Sequence, residues 1–163
     1  MKKVILFCIL PIILLSSFAS PTKKFPTITL KSLDGQAVEL QKKFTKNKLT
    51  VISFWATWCS PCKKELDAIK TLYPNWKKDG VEFIAITIDD AQQLNKVKPL
   101  IQQKGWVYTI LSDINKESLR KLNFQSIPQT FVVDPKGDIV YSHSGYAPGD
   151  EQELDKKLKS LLK

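Results

Sequence analysis

At 163 residues the chain has the size of one domain with one core. Its 25 basic and 16 acidic residues give a formal net charge of +9, but the lysines are dispersed and Arg120 is the lone arginine, which argues against nucleic acid as the partner. Three cysteines are too few for a disulfide-stapled scaffold.

The chain begins with a basic Met1-Lys2-Lys3. Val4 to Leu15 is apolar, is interrupted by Pro11, and falls short of the ~20 residues a membrane-spanning helix needs. Ser17 and Ala19 place small residues where a signal peptidase reads them, so residues 1–19 read as an export leader cleaved after Ala19. An uncleaved anchor at residues 4–15 is the alternative. Cys8 sits inside the apolar stretch and not at its end, which argues against a lipoprotein. Residues 20–163 then form a single domain, still strongly basic, whose cysteines are Cys59 and Cys62.

Thr22 to Pro26 reads as a short linker. Thr27 to Leu30 and Ala37 to Leu40 read as a hairpin around Ser32-Leu33-Asp34-Gly35. Leu49 to Trp55 is a continuous apolar, β-branched and aromatic run, the pattern of a strand buried on both faces. The stretch after Cys59 places Cys62, Leu66, Ile69, Tyr73 and Trp76 at helical spacing, with Pro61 suited to the first turn and Pro74 expected to end or kink the helix. Val81 to Ile88 is a second buried strand, ending in Asp89-Asp90. Ala91 to Lys104 reads as a helix, Val107 to Leu111 as a short strand, and Lys116 to Leu122 as another helix. Gln129 to Val133 and Asp138 to Ser142 read as a hairpin around Asp134-Pro135-Lys136-Gly137, and Asp150 to Leu162 as a closing amphipathic helix. Strand–helix–strand followed by a hairpin and a helix is a mixed α/β layered architecture.

The segment Trp58-Cys59-Ser60-Pro61-Cys62-Lys63 carries the chemistry. A buried strand delivers two cysteines, two residues apart, to the first turn of a helix. There the orphan N–H groups and the positive dipole end favour a thiolate. Cross-linking so short a loop stabilises a fold little, so redox cycling explains the pair better than stapling. Cys59, placed near solvent after Trp58, is the candidate nucleophile; Cys62, on the inward helix face, is the candidate resolving thiol. A zinc site would need four ligands, and only His143 remains as a further candidate. His143 otherwise reads as an exposed strand residue. Glu65 lies three residues after Cys62, on nearly the same face, where partial burial would raise its pKa and let it take a proton.

The run Phe54-Trp55-Ala56-Thr57-Trp58-Cys59-Ser60-Pro61-Cys62-Lys63-Lys64-Glu65 resembles the thioredoxin superfamily, and within it the exported TlpA/ResA-like branch. Leu33-Asp34-Gly35 is similar to that branch's leading hairpin, Asp89 to Leu111 to its insertion between core strands, and Ser126-Ile127-Pro128 to the family's cis-proline loop. The resemblance implies an α/β thioredoxin fold: a central mixed β-sheet flanked by helices, with an N-terminal β-hairpin and an insertion. It implies a redox disulfide Cys59–Cys62 and a role for Glu65 in handling the Cys62 proton. It also implies a cis Pro128 that frees the Ile127 backbone to pair with a bound peptide. Trp58 would shape the contact surface, Trp55 would pack beneath it, and Ser60-Pro61 would tune the thiolate. Two departures stand out: thioredoxin has a buried acid where this chain has Ser53, and branch members often have a proline where it has Asp67.

These residues together point to a monomeric exported thiol–disulfide oxidoreductase, periplasmic or otherwise extracytoplasmic, working as a protein-disulfide reductase without organic cofactor or metal. Its expected substrates are disulfides of exported proteins, such as an apocytochrome c or a misoxidised protein, and its expected donor is a membrane protein passing electrons outward. The alternatives are a peroxiredoxin-like thiol peroxidase, which needs an arginine beside the thiol; a copper-delivery module, which favours wider cysteine spacing; and a non-catalytic binding module with a static disulfide.

Overall fold

The computed structural model describes residues 23–163, and the expected leader, residues 1–19, lies outside them. Seven strands form one sheet in the order β2-β1-β5-β4-β3-β6-β7. The strands are β1 (Thr29–Ser32), β2 (Ala37–Glu39), β3 (Leu49–Trp55), β4 (Val81–Thr87), β5 (Thr109–Ser112), β6 (Gln129–Val133) and β7 (Ile139–Ser144). The β3–β4 and β4–β5 pairs are parallel and the others antiparallel. The helices are α1 (Leu40–Phe44), α2 (Ser60–Lys78), α3 (Val97–Lys104), α4 (Glu117–Leu122) and α5 (Asp150–Leu161). This is the mixed α/β sheet with a leading hairpin and an insertion that the sequence predicts, β5 of the insertion lying between β1 and β4.

The strands central to the sheet read as unbroken apolar runs because helices and loops cover both faces. All seven residues of β3 are buried. On one face, Tyr73 and Trp76 of α2 meet Phe83 and Tyr108, and Trp55 meets Trp106 edge-on. On the other, Phe25, Phe44, Phe54, Phe124 and Phe131 form a connected aromatic cluster. The indole of Trp76 donates to Asp155 Oδ1 at 2.8 Å, tying α5 to α2.

Several boundaries differ from the sequence reading. Of the expected linker Thr22 to Pro26, the described residues 23–26 are not free: Lys24 bridges to Asp138, and Phe25 is buried against Phe44 and Phe131. The first strand starts at Thr29 and not Thr27, and Leu40 leaves the second strand to open a short helix, burying itself and Phe44. Pro74 does not end α2, which continues to Lys78. Its ring lies on the solvent side, where water can take the Lys70 carbonyl, while buried Tyr73 and Trp76 hold the last turns. The expected helix from Ala91 is shorter: Asp90 Oδ1 accepts from Gln92 N and Gln93 N, a turn that precedes a 3-10 segment at Leu94–Lys96 and then α3. The Asp134–Gly137 turn forms as expected, with Asp134 Oδ1 accepting from Lys136 N and Asp138 N, and Gly137 at a φ of 82° that favours glycine.

Candidate active site

β3 ends at Trp55, and four residues later Cys59 caps α2. Its sulfur accepts from Cys62 N at 3.3 Å, so the cap is made by the candidate nucleophile itself. Pro61 falls in the first turn, where a missing N–H breaks no helical bond. Cys59 and Cys62 are joined in a disulfide with Cα atoms 5.4 Å apart.

Cys59 is only 5% exposed, more covered than its position after Trp58 suggests. The reason is the loop before β6, in which the Ile127–Pro128 peptide is cis and the Ile127 carbonyl lies 3.8 Å from Cys59 Sγ. Trp58, by contrast, is 59% exposed. A hollow of about 550 Å³ lies on one side of it, lined by Thr57, Lys63, Lys96 and Pro99 among others. A second hollow of about 420 Å³ lies on the other, lined by Ile88, Leu119, Ser126 and Ile127 among others. Trp55 is fully buried. Ser60 and Pro61 remain exposed at the helix start.

The segment carrying Thr57 and Trp58 is held from below by Asp89, a residue the sequence shows only as the end of an apolar run. Asp89 is fully buried. It accepts from Thr57 N at 2.9 Å, Thr57 Oγ1 at 2.9 Å and Thr87 Oγ1 at 2.6 Å. Lys63 Nζ donates to Thr57 O at 2.9 Å, closing the same turn from the helix side.

Glu65, one turn further along α2 from Cys62, is 4% exposed. Its carboxylate accepts from Ser53 Oγ at 2.7 Å and from Thr130 Oγ1 at 2.8 Å. Ser53 and Thr130 lie directly opposite one another in the β3–β6 ladder, so they share the sheet face under α2. The serine that stands where thioredoxin has a buried acid therefore receives an acid from the helix above it. Burial pushes the Glu65 carboxyl above its ordinary range; the hydrogen bonds from Ser53 and Thr130 and the proximity of His143 oppose that rise only in part. Asp67, the other departure, accepts from Trp106 Nε1 at 2.9 Å and Lys104 Nζ at 2.7 Å, fastening the end of α3 and the segment after it to α2.

His143 is not the plain exposed residue of the sequence reading. It lies opposite Thr130 in the β6–β7 ladder, is half-buried, and its Nε2 is 3.2 Å from Asp150 Oδ2. Only the strand register reveals this placement. Among the described residues no cluster of three or more His, Cys, Asp or Glu side chains could hold a metal ion, and no helix is long and apolar enough to cross a membrane.

The raised Glu65 pKa sets a pH dependence of stability. The native state holds this proton more tightly than the unfolded chain does, so the stabilisation is complete below the ordinary carboxyl range and is lost as pH rises through the raised value. In the disulfide form Glu65→Gln should remove that decline, and the variant should gain on the parent steadily as pH rises. Urea unfolding at a series of pH values measures this; parallel curves would show that Glu65 ionises as freely in the fold as outside it.

The redoxin family model matches residues 20–158. The thiol–disulfide oxidoreductase ResA of Bacillus thuringiensis subsp. konkukian is 30% identical over 139 residues, covering 85% of this chain and 77% of that protein. The ResA of Bacillus subtilis is 29% identical over 115 residues, 71% of this chain and 62% of its own length. Among solved structures, an uncharacterised thioredoxin-like protein from Porphyromonas gingivalis is 43% identical with a TM-score of 0.73, covering 85% of this chain and 91% of that one. A putative thiol:disulfide interchange protein DsbE from Chlorobium tepidum superposes with a TM-score of 0.78 over 88% of this chain and 99% of that one; at 22% identity it bears on the fold alone.

Proposed function

Because the chain belongs to the redoxin family, in its branch of ResA-like thiol–disulfide oxidoreductases, we propose that it works as a reductase of disulfides in exported proteins. The observation that carries this reading is the cysteine pair closing the first turn of α2 against a cis Ile127–Pro128 loop.

In the dithiol form Cys59 sits at the helix N-terminus, where orphan N–H groups stabilise its thiolate. The thiolate attacks a sulfur of the partner's disulfide. A mixed disulfide forms and the partner's other sulfur leaves as a thiolate. Cys62 Sγ–H then gives its proton to Glu65, whose burial makes it a better base than an ordinary carboxylate. The Cys62 sulfur attacks Cys59, the Cys59–Cys62 bond forms, and the bond to the partner breaks with its electron pair going to the partner's sulfur. Two electrons have passed to the partner, and the protein is left in the disulfide state. The Ile127 backbone pairs with the bound peptide, and Trp58, between two hollows, supplies apolar contact.

The pathway needs no organic cofactor or metal. The leader at residues 1–19 would deliver the domain, as a monomer, to the periplasm or another extracytoplasmic space. There a membrane protein passing electrons outward would re-reduce it, and substrates such as an apocytochrome c or a misoxidised protein would receive them.

Reduction of insulin with dithiothreitol as donor tests the activity: the protein should accelerate it, and Cys59→Ser should return it to the uncatalysed rate. A variant that retains catalysis would remove Cys59 from its assigned role. A reduction potential far below the roughly −270 mV of thioredoxin would mark a locked bridge and favour the binding-module reading.

A further inference from the structure

A row of polar side chains crosses the sheet beneath α2 and α5. Ser53 of β3 stands opposite Thr130 of β6, and Thr130 stands opposite His143 of β7. Directly opposite residues share a sheet face, so these three form a line from the middle of the sheet to its edge strand. Glu65 sits over the inner end, bonded to Ser53 and Thr130. Asp150 sits over the outer end, bonded to His143. Between the ends lies a narrow cavity of about 10 Å³, lined by Glu65, Thr130, Tyr141, His143, Asp150 and Glu151 among others. That is roughly the space a single water molecule requires, and the lining supplies the two to four polar partners such a water needs.

Along α2 Glu65 has no opening to water: it is 4% exposed, and its neighbours on the buried face are Cys62, Leu66 and Ile69. The outer end is different: the His143 and Asp150 side chains are 38% and 33% exposed. Imidazole is also the side chain whose chemistry suits passing protons near neutral pH.

We infer that His143, paired with Asp150, is the proton exit of Glu65: a positioning and relay residue that connects the buried carboxyl to solvent through the narrow cavity at the edge of the sheet. This rests on the reading that Glu65 takes the Cys62 proton. Glu65 can take the Cys62 proton only once it has given up its own, so a proton on Glu65 passes first to a water in the cavity, from there to the imidazole, and from the imidazole to bulk solvent. The ionised carboxyl then takes the Cys62 proton as that sulfur attacks Cys59, and releases it by the same path. No electrons move in this step, and the proton lost by Cys62 appears in solvent.

Besides Glu65 on α2, the charged and titratable groups around the relay are Tyr141 and His143 on β7, Tyr146 on the following loop, Asp150, Glu151 and Glu153 on α5, Lys157 over the Tyr141 ring, and Tyr108 before β5, whose hydroxyl feels the Glu65 charge. Tyr146 is committed to Glu151 Oε2 at 2.9 Å, and burial with that bond pushes its hydroxyl up to about 12, so it does not compete for the proton near neutral pH. His143 and Asp150 act on the Glu65 charge with opposite signs, the imidazolium lowering and the carboxylate raising the Glu65 pKa. An unpaired imidazolium would favour Glu65 giving its proton up; Asp150 offsets that pull.

The experiment uses the full dithiol protein in single turnover with 5,5′-dithiobis(2-nitrobenzoate). The first thionitrobenzoate released reports attack by Cys59, and the second reports attack by Cys62. In dilute buffer His143→Asn should leave the first phase unchanged and slow the second about 10-fold, below the usual cost of removing a proton-transfer group outright. Adding free imidazole should restore the second phase, because a small buffer can enter where the side chain carried the proton. Glu65→Gln should slow the second phase without rescue, and Glu65→Gln with His143→Asn should be no slower than Glu65→Gln alone. If Glu65→Gln is slow while His143→Asn matches the parent in every buffer, the relay is wrong and the role of Glu65 stands. If Glu65→Gln itself matches the parent, the Glu65 reading fails and the relay falls with it. Additive slowing in the double variant, or a His143→Asn defect that imidazole leaves untouched, overturns the relay by showing that His143 acts through structure.

Discussion

Replacing Cys62 by alanine is expected to leave the protein joined to its partner after one attack. Cys59 keeps its place at the helix N-terminus and still forms the mixed disulfide, but nothing adjacent can displace the partner. A well-oriented neighbouring group acts at an effective concentration of about 10⁵ M or more. Millimolar external thiol cannot substitute for it, so insulin-reductase turnover should fall at least about 10³-fold. Non-reducing electrophoresis after expression in an export-competent host should show the Cys62→Ala chain linked through Cys59 to exported proteins, the bands vanishing on reduction. Adducts confined to glutathione or to other copies of the chain would remove the support for a protein substrate.

Loss of Asp89 should have the largest effect on stability among the residues beside the site. Asp89→Ala removes the acceptor of the Thr57 N–H and of two threonine hydroxyls; Thr87 is fully buried, while Thr57 is half-buried beside the larger hollow. An orphaned buried donor costs about 1–3 kcal/mol, and the Thr57 groups recover part of theirs from water, so a total of about 2–4 kcal/mol is expected. The same change frees the turn that carries Trp58 into Cys59, so attack by Cys59 on a model disulfide should slow as well. Asp89→Asn keeps one acceptor oxygen and should recover roughly half of the loss. Urea unfolding of the disulfide form decides the point: a loss below about 1 kcal/mol for Asp89→Ala would mean that the turn holds itself and that Lys63, bonded to Thr57 O, suffices.

The two predictions separate by how far apart their partners lie in the chain. The Cys59–Cys62 reading needs only the contiguous run from Leu49 to Glu65: a buried strand, a turn and a helix start. All of that is local, and helix spacing alone places Cys62 and Glu65 on the inward side. Asp89 holds Thr57 across 32 positions, and no local pattern distinguishes it from Asp90, which ends in an exposed turn. Pro74 shows the converse error. Its local preference is to break the helix, and the burial of Tyr73 and Trp76 on either side overrides it.

The sequence alone determined the chemistry and its place, two thiols where a buried strand turns into a helix, because strand and helix periodicity act over a few residues. It likewise determined the order of elements, which limits the sheet to few topologies. Only the tertiary structure decided what surrounds that chemistry. Strand order and register bring Ser53 of β3 into line with Thr130 and His143 of the much later β6–β7 hairpin, under Glu65. A shift of one residue in either ladder would turn the members of that line to the opposite face. Such pairings are set by the packing of the whole sheet, so no stretch of the chain carries them by itself.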